Sequence, residues 1–460
     1  MQWVKELLDQ VGEEVVSKSD VDLDMASKDH TEDLKFIPDA VAFPRTTDEV
    51  AAIMKVCHQH RVPVTTRGAG TGLSGAALPI QGGLVISTQN MNQILDVDTQ
   101  NYQMTVQPGV INQVIQDKAA ENGLMYPPDP ASKGSSFIGG NIAHSSGGPK
   151  AVKYGTTKDY ILNCEVVLPS GDVIWTGSNT LKNSTGYNLT QLMVGSEGTL
   201  GIITQAVLKL IPAPKHQLLM LASFPSLEKA CEAVPEMMST GVIPSAMELM
   251  EASGIQFALK HLDQVNLAIP DNAEAFLLVE VDGNHLEHLQ MDCETLYSVM
   301  EPAAVEVLFA DDAATKEMWW KIRRSLGEVV KRVSIYKEED TVVKRSYLPD
   351  LMRAVKEIGR EVGFESVCYG HAGDGNLHVN ILKGSMSDEA WNGEELEEGI
   401  RRIFRVCKQY GGTISGEHGI GYVQKKYLNE VMSPTQIDLL KGIKSVFDPL
   451  GILNPGKIWT

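Results

Sequence analysis

Arg67-Gly-Ala-Gly-Thr-Gly-Leu-Ser-Gly-Ala-Ala-Leu-Pro79 carries Gly70-x-Gly72-x-x-Gly75, the letter pattern of a dinucleotide-binding Rossmann turn. The pattern works only where a strand enters the turn and a helix leaves it, so that the helix N-terminus meets a pyrophosphate. The strand is present as the apolar run around Val62–Thr66; the helix is not. Only Ala76-Ala-Leu78 separate Gly75 from Pro79, and Gly82-Gly83 follow at once. A crossover to a parallel strand needs a dozen or more residues, usually helical, and proline breaks a helix interior. The string is therefore a poor nicotinamide site but a good anion cradle. Gly68, Gly70, Gly72 and Gly75 permit left-handed backbone and close approach, so that several N–H groups can converge on phosphate oxygens beside Thr71 and Ser74. A glycine turn without a ligand would look the same in isolation, but two more glycine-rich segments, 134–148 and 195–201, exceed what turns alone require.

Around this loop the chain alternates helices and strands. Thr46 and Glu49 form a capping box ahead of a helix whose buried stripe is Val50, Ile53, Met54 and Cys57. Strands are expected at Gly83–Ser87, Tyr102–Val106, Cys164–Leu168 and Ala206–Ile211, and a helix at Val110–Ala120. From Pro127 to Gly155 the chain is dominated by Gly, Pro, Ser and Asn, and it reads as a structureless binding segment or as disorder. Pro212-Ala-Pro214 marks a boundary. Beyond it come strands Leu218–Phe224 and Ala275–Val281, a helix from Ser226, and a helix Glu394–Lys408. In the last, glutamates precede Arg401, Arg402, Arg405 and Lys408, as the macrodipole and i,i+4 pairing favour on a solvated face. The class is α+β, with domains expected at 1–214 and 215–410 and a C-terminal segment at 411–460 that returns to the first.

At 460 residues the chain exceeds one ordinary core. Its net charge of −19, well spread, opposes nucleic acid and anionic membranes as main partners. No apolar run is long enough to span a membrane, and the N-terminal MQWVKELLDQVGEEVV has the spacing of a surface helix rather than a signal peptide. A cytoplasmic location follows as the expectation. Cys57, Cys164, Cys231, Cys293, Cys368 and Cys407 include no C-x-x-C pair, which disfavours a disulfide framework, a zinc ribbon and a cysteine-ligated iron–sulfur cluster.

Far along the chain, Cys368-Tyr-Gly-His-Ala-Gly-Asp-Gly-Asn-Leu-His378 sets two histidines on either side of a glycine-rich turn between strands Ser366–Tyr369 and Leu377–Leu382. Ser415-Gly-Glu-His-Gly-Ile-Gly421 supplies an adjacent acid and base. Two imidazoles and a carboxylate suit zinc, manganese or iron(II). Two hairpin histidines with their own partners and an unrelated Glu-His pair fit the spacing equally well.

Three segments together resemble the flavoprotein superfamily of vanillyl-alcohol oxidase and p-cresol methylhydroxylase: Arg67–Gly72, Ile138–Ala143 with Gly147-Gly148, and Gly195-Ser-Glu-Gly-Thr-Leu-Gly201. Within it, the chain is similar to the D-2-hydroxyacid dehydrogenases: D-lactate dehydrogenase, D-2-hydroxyglutarate dehydrogenase and the flavin subunit of glycolate oxidase. The resemblance, from about Pro38 onward, implies a two-subdomain FAD-binding fold of the p-cresol methylhydroxylase type with an α+β cap. It assigns Arg67, Gly68, Ala69, Gly70, Thr71, Gly72, Ser74 and Gly75 to the FAD pyrophosphate. By the same carry-over Pro108, Gly109, Pro128, Asp129, Gly139, Gly140, Asn141, Gly148, Glu197, Gly198, Thr199, Ile202, Ile203 and Asn454 line the rest of the cofactor. The pyrophosphate loop lacks the histidine that covalent relatives use, so FAD is expected to be non-covalent. His144 is a departure, standing where relatives commonly carry glutamate or threonine; it reads as a neutral change in a tolerant loop, with a role near the cofactor as the alternative. Lys344 stands where relatives often have proline, and no function is read from it.

In metal-containing relatives the positions of His371, His378 and Glu417 are ligands and that of His418 is the catalytic base. Arg323, in Trp319-Trp-Lys-Ile-Arg-Arg324, matches the arginine that clamps the substrate carboxylate, with Arg324 the neighbouring misregistration. The implied activity is oxidation of a D-2-hydroxy acid such as D-lactate, glycolate or D-2-hydroxyglutarate by hydride transfer to flavin N5. With no cluster of its own, the protein would pass electrons to an electron-transferring flavoprotein, an iron–sulfur subunit, a cytochrome or a quinone; a homodimer is left open. Two other functions occur on this fold. One is a non-redox transferase of the ether-lipid synthase type; the other is a non-catalytic flavoprotein subunit, which would have no need of His371, His378, Glu417 and His418.

Overall fold

Ala40–Ala42, Leu84–Ser87 and Val64–Arg67 are buried almost throughout, the pattern of parallel strands covered on both faces. The computed structural model, which describes residues 1–31, 34–263, 265–310 and 312–459, pairs them in a four-stranded sheet. Its order is Val16–Ser17, Ala40–Ala42, Leu84–Ser87, Val64–Arg67, and the last three run parallel. Helix Thr47–His60 makes one crossover, burying Val50, Ile53, Met54 and Cys57 against the sheet. Thr46 caps it by accepting from Glu49 N, but Glu49 reaches past Thr46 to Arg45 N at 2.6 Å, so only half of the expected capping box forms. The other crossover, residues 68–83, holds no helix. The glycine loop thus leads straight on to the next strand.

A five-stranded antiparallel sheet follows, in the order Ile94–Asp98, Gln103–Val106, Ile202–Lys209, Ile161–Val167, Val173–Trp175. The segment expected to be structureless from Pro127 to Gly155 contains helix Ile138–His144. Two glycines lower its intrinsic propensity, and tertiary contacts override this: Gly139 packs on Pro108, where an added Cβ would come within 2.6 Å of the proline Cβ. The two sheets lie in one compact unit of Met1–Gly147, Gly155–Ala213 and Glu417–Thr460.

The C-terminal segment closes this unit on the glycine loop. Val64 N donates to Ile452 O and Asn454 N to Val64 O, which lays the tail beside the strand that leads into the loop. Asn454, left-handed at φ 44°, donates its side-chain amide to Ala76 O and Glu197 O. Lys457 is fully buried and donates to Ala76 O, Leu78 O and Asn454 Oδ1 at 2.6–3.0 Å.

The second unit comprises Gly148–Tyr154 and Pro214–Gly416. Its seven-stranded sheet has the order Glu306–Phe309, His216–Phe224, Ala275–Gly283, Ala246–Glu251, Glu365–His371, Asn376–Leu382, Tyr336–Val342, and all its pairings are antiparallel. Leu219, Leu221, Phe276, Leu278, Met250, Val367, Tyr369 and Leu382 form a core with Trp319, Trp320, Ile322, Leu326 and Val330 of helix Ala313–Val333. No helix among the described residues is long and apolar enough to cross a membrane.

Burial pulls the Lys457 amine down from its ordinary 10.5 to about 7, against the opposing pull of Glu197 and Asp29. Above 10.5 neither state holds the proton; between 10.5 and about 7 the unfolded chain binds it and the fold does not. Stability therefore falls as pH drops through that window and levels off below it. In urea titrations at about pH 7 and about pH 9.5, the wild type should gain on Lys457→Met as pH rises; a flat or shrinking gap contradicts the assignment.

Candidate active site

In the first unit the three glycine segments meet through their backbones. Gly70 and Gly75 are left-handed at φ 74° and 71°, and Gly195 and Gly198 at 75° and 67°. An added Cβ at Gly68 would meet Gly140 Cα at 3.8 Å, while at Gly140 it would meet no heavy atom within 4 Å. The first two loops thus approach closely and leave room over Gly140. Ser74 Oγ, Thr66 Oγ1 and Ser136 Oγ are buried without a hydrogen-bond partner. Buried hydroxyls of this kind normally have partners, and a phosphate-rich cofactor supplies acceptors for them, so this unit fits FAD.

The other residues assigned to the cofactor divide between backbone and scaffold roles. Arg67 is buried: its Nη1 donates to Lys28 O at 2.5 Å, and its guanidinium lies where a Cβ on Gly70 would fall. It props the loop from below. Asn141 donates to Asn112 Oδ1, and Asn112 in turn to Pro128 O, so this amide chain ties Pro128 to the second glycine segment. Thr199 turns its hydroxyl back onto Ser196 O. Ile202 and Ile203 open the central strand of the five-stranded sheet.

The second unit gathers the other chemistry on one face of its sheet. Strand pairing sets Glu248 opposite His371, Tyr369 opposite His378, and His378 opposite Asp340. Side chains at matched positions share a face, so Glu280, Glu248, His371, His378 and Asp340 form a polar row across five strands. The His371 and His378 rings stand edge to face, with centroids 5.5 Å apart. His371 Nδ1 lies 2.8 Å from Glu248 Oε1. His378 Nδ1 lies 3.6 Å from Glu338 and 3.7 Å from Asp340. Such paired imidazoles with carboxylates behind them suit a divalent metal.

Helix Ala313–Val333 meets this row with Trp320 and Arg323, one turn apart. Trp320 Nε1 donates to Glu280 Oε2 at 3.0 Å, and Arg323 Nη2 lies 2.5 Å from Glu248 Oε2. Arg323 is buried with its guanidinium over the Tyr369 ring, whereas Arg324 is exposed over Trp320. Arg323 Nε is buried without a hydrogen-bond partner. Burial alone would push the Glu248 carboxyl up, but Arg323 and His371 hold it below the ordinary range. Burial pushes the Tyr369 hydroxyl well above its ordinary value, so it stays neutral.

Sequence reasoning passes over Glu248. Its signal is an acid inside the apolar run Ala246-Met-Glu-Leu-Met250, and Glu280 interrupts Ala275–Val281 in the same way. Lys150, Lys153 and Tyr154, from the glycine-rich stretch, also belong to this face. Lys150 pairs with Glu280, while Lys153 and Tyr154 reach Asp282 at 2.6 and 2.8 Å.

Gly416 ends the second unit with its N–H on Asp340 Oδ2, and Ser415 Oγ donates to the same oxygen. The next residue, Glu417, begins the last segment of the first unit and accepts from Gly147 N at 3.2 Å. His418 follows it in a loop whose Ile420 and Gly421 N–H groups donate to Glu197.

Two family models match most of the chain. Residues 38–177 match the FAD binding domain family, and residues 213–458 match FAD linked oxidases, C-terminal domain. The chain is 39% identical to glycolate oxidase subunit GlcD of Bacillus subtilis, over 99% of this chain and 96% of the relative. It is 39% identical to a D-lactate dehydrogenase of Anaerostipes hadrus, over 92% and 89% of the two chains. A D-2-hydroxyglutarate dehydrogenase of Stutzerimonas stutzeri is 32% identical, over 95% and 94%. Among solved structures, p-cresol methylhydroxylase shares the fold with a TM-score of 0.80 at 18% identity, covering 99% of this chain and 96% of that one. With both family matches and the relatives in agreement, the chain belongs to the FAD-linked oxidase family, in the branch that includes the glycolate oxidase flavin subunits and D-2-hydroxyacid dehydrogenases, and is an FAD-dependent oxidoreductase.

Proposed function

We propose that this protein oxidises a small D-2-hydroxy acid, of the D-lactate, glycolate or D-2-hydroxyglutarate kind, to the 2-oxo acid and passes the electrons to a separate acceptor. The observation that carries this reading is the buried Arg323–Glu248–His371 array beside His378. It offers a cation for a carboxylate next to a polar site for the adjoining hydroxyl. FAD, when bound, supplies the hydride acceptor. The family resemblance assigns a divalent metal to His371, His378 and Glu417; when bound, it would lower the pKa of a hydroxyl beside it.

The residues divide the remaining work. Arg323 receives the substrate carboxylate through its unpartnered Nε edge. Glu248 fixes the orientation of the guanidinium and the tautomer of His371 at once. Oxidation removes a proton from the hydroxyl as hydride leaves the same carbon, and His418 takes that proton, as an imidazole near neutral pH is suited to do. A glycolate oxidase subunit, a D-lactate dehydrogenase and a D-2-hydroxyglutarate dehydrogenase among the relatives support this substrate class.

Anaerobic mixing with D-lactate, glycolate and D-2-hydroxyglutarate should bleach the flavin with at least one acid. If none does while FAD is bound, the assignment is wrong. His418→Asn should keep FAD and lose the bleaching. Arg323→Lys should raise KM by about 10–100-fold, equal to roughly 1.5–3 kcal/mol of charge-assisted hydrogen bonding. Glu248→Ala leaves Arg323 buried and uncompensated and should cost roughly 3–5 kcal/mol of stability in urea unfolding. Dialysis against a chelator should abolish turnover while leaving FAD bound, and zinc or manganese should restore it; unchanged turnover in the metal-free sample removes the metal from the proposal.

A further inference from the structure

Glu197 occupies an unusual position. It is a non-glycine residue at φ 51°, between the left-handed Gly195 and Gly198, and its side chain is buried. A left-handed glutamate costs conformational energy and persists where its surroundings hold it there. Those surroundings are specific. Its N–H donates to Ala143 O in the second glycine segment, and its C=O accepts from Asn454 Nδ2. Both carboxylate oxygens are engaged by consecutive backbone donors: Oε1 by Ile420 N and Oε2 by Gly421 N, each at 2.7 Å. Successive N–H groups of this kind form a nest for an anion, and here the anion is the protein's own side chain.

The loop so held is the one that follows His418. Gly419 and Gly421 are left-handed at φ 80° and 50°. A Cβ on Gly419 would lie 2.6 Å from His144 Nδ1 and 2.9 Å from Glu197 Oε1, and one on Gly421 would lie 2.2 Å from Ser74 O. Tyr422 N and Val423 N both donate to Ser74 O. Residues 419–423 are therefore pressed against the first glycine loop and clamped by Glu197. His418 is two residues from the first clamped N–H.

We infer that Glu197 is a positioning residue for the His418 loop, its carboxylate devoted to Ile420 and Gly421 rather than to the cofactor. This rests on the role proposed for His418. Misplacing a proton acceptor by about 1 Å can cost on the order of a hundredfold in rate. A clamp of two charge-assisted hydrogen bonds prevents such drift.

Glu197→Gln keeps the shape but turns an amide NH2 toward one of the two N–H donors, so that one bond becomes a repulsion. The holoprotein should keep its flavin-to-protein ratio. Its kcat should fall about a hundredfold, with KM for the hydroxy acid within about threefold of wild type. Hydrogen exchange followed by mass spectrometry should show residues 417–423 losing protection while residues 64–75 keep theirs. Glu197→Asp, which keeps the charge but is one methylene too short to reach both N–H groups, should reproduce both effects and carries the test if Glu197→Gln does not fold. Unchanged exchange at 417–423 in the folded variant overturns the inference. So does loss of FAD from Glu197→Gln, which would make the carboxylate a cofactor group. If no hydroxy acid bleaches the wild type, the functional proposal fails, and the exchange data still decide whether Glu197 holds the loop.

Discussion

A carboxylate taken fully out of water must be paired, and Glu248 is taken fully out of water. That constraint organises the second unit. Arg323 comes down from helix Ala313–Val333 and His371 comes across from the adjacent strand because an unpaired Glu248 would be too costly to bury. The ion pair gives little stability over a well-packed apolar core, yet it fixes how the guanidinium and the imidazole are oriented. Around it the sheet face is apolar at one end, under Trp319, Leu326 and Val330, and polar along one row of strands. The chemistry is thereby confined to the row.

The first unit, which matches an FAD binding domain family, does without a Rossmann helix. It brings together three glycine segments, and such loops have no side-chain core to fix them. The structure fixes them through each other and through the chain's end. Asn454 and Lys457 bind the carbonyls after the first loop, Asn454 also binds Glu197, and Glu197 binds residues 420 and 421. Three segments distant in sequence depend on one small set of polar side chains. Each of these is buried, so each hydrogen bond counts for more than it would at the surface.

Much of this was legible residue by residue. Helix Thr47–His60 and strands Ala275–Gly283 and His216–Phe224 follow from local periodicity, and their observed limits lie within a few residues of the pattern. The glycine segments and the histidine pair stand out because glycine and histidine are informative letters. Arg67 was legible as part of a motif, but its bond to Lys28 O was not, since that bond bridges residues far apart in sequence. Helix Ile138–His144 was hidden by composition, because two glycines argue locally for a loop and only the packing on Pro108 argues for a helix.

By itself, the sequence determined what local sterics and periodicity control. Pro79 and Gly82-Gly83 forbade the crossover helix, alternation marked the strands, and the spacing of His371 and His378 around a glycine turn put them on one hairpin. Only the tertiary structure decided that Glu248, rather than any other acid, pairs with Arg323, that Arg323 is buried and Arg324 exposed, and that Glu197 turns its carboxylate to the loop after His418. The reason is physical. A buried charge finds its partner in space through sheet register and helix packing, and neither distance nor burial is written in the residues on either side of it.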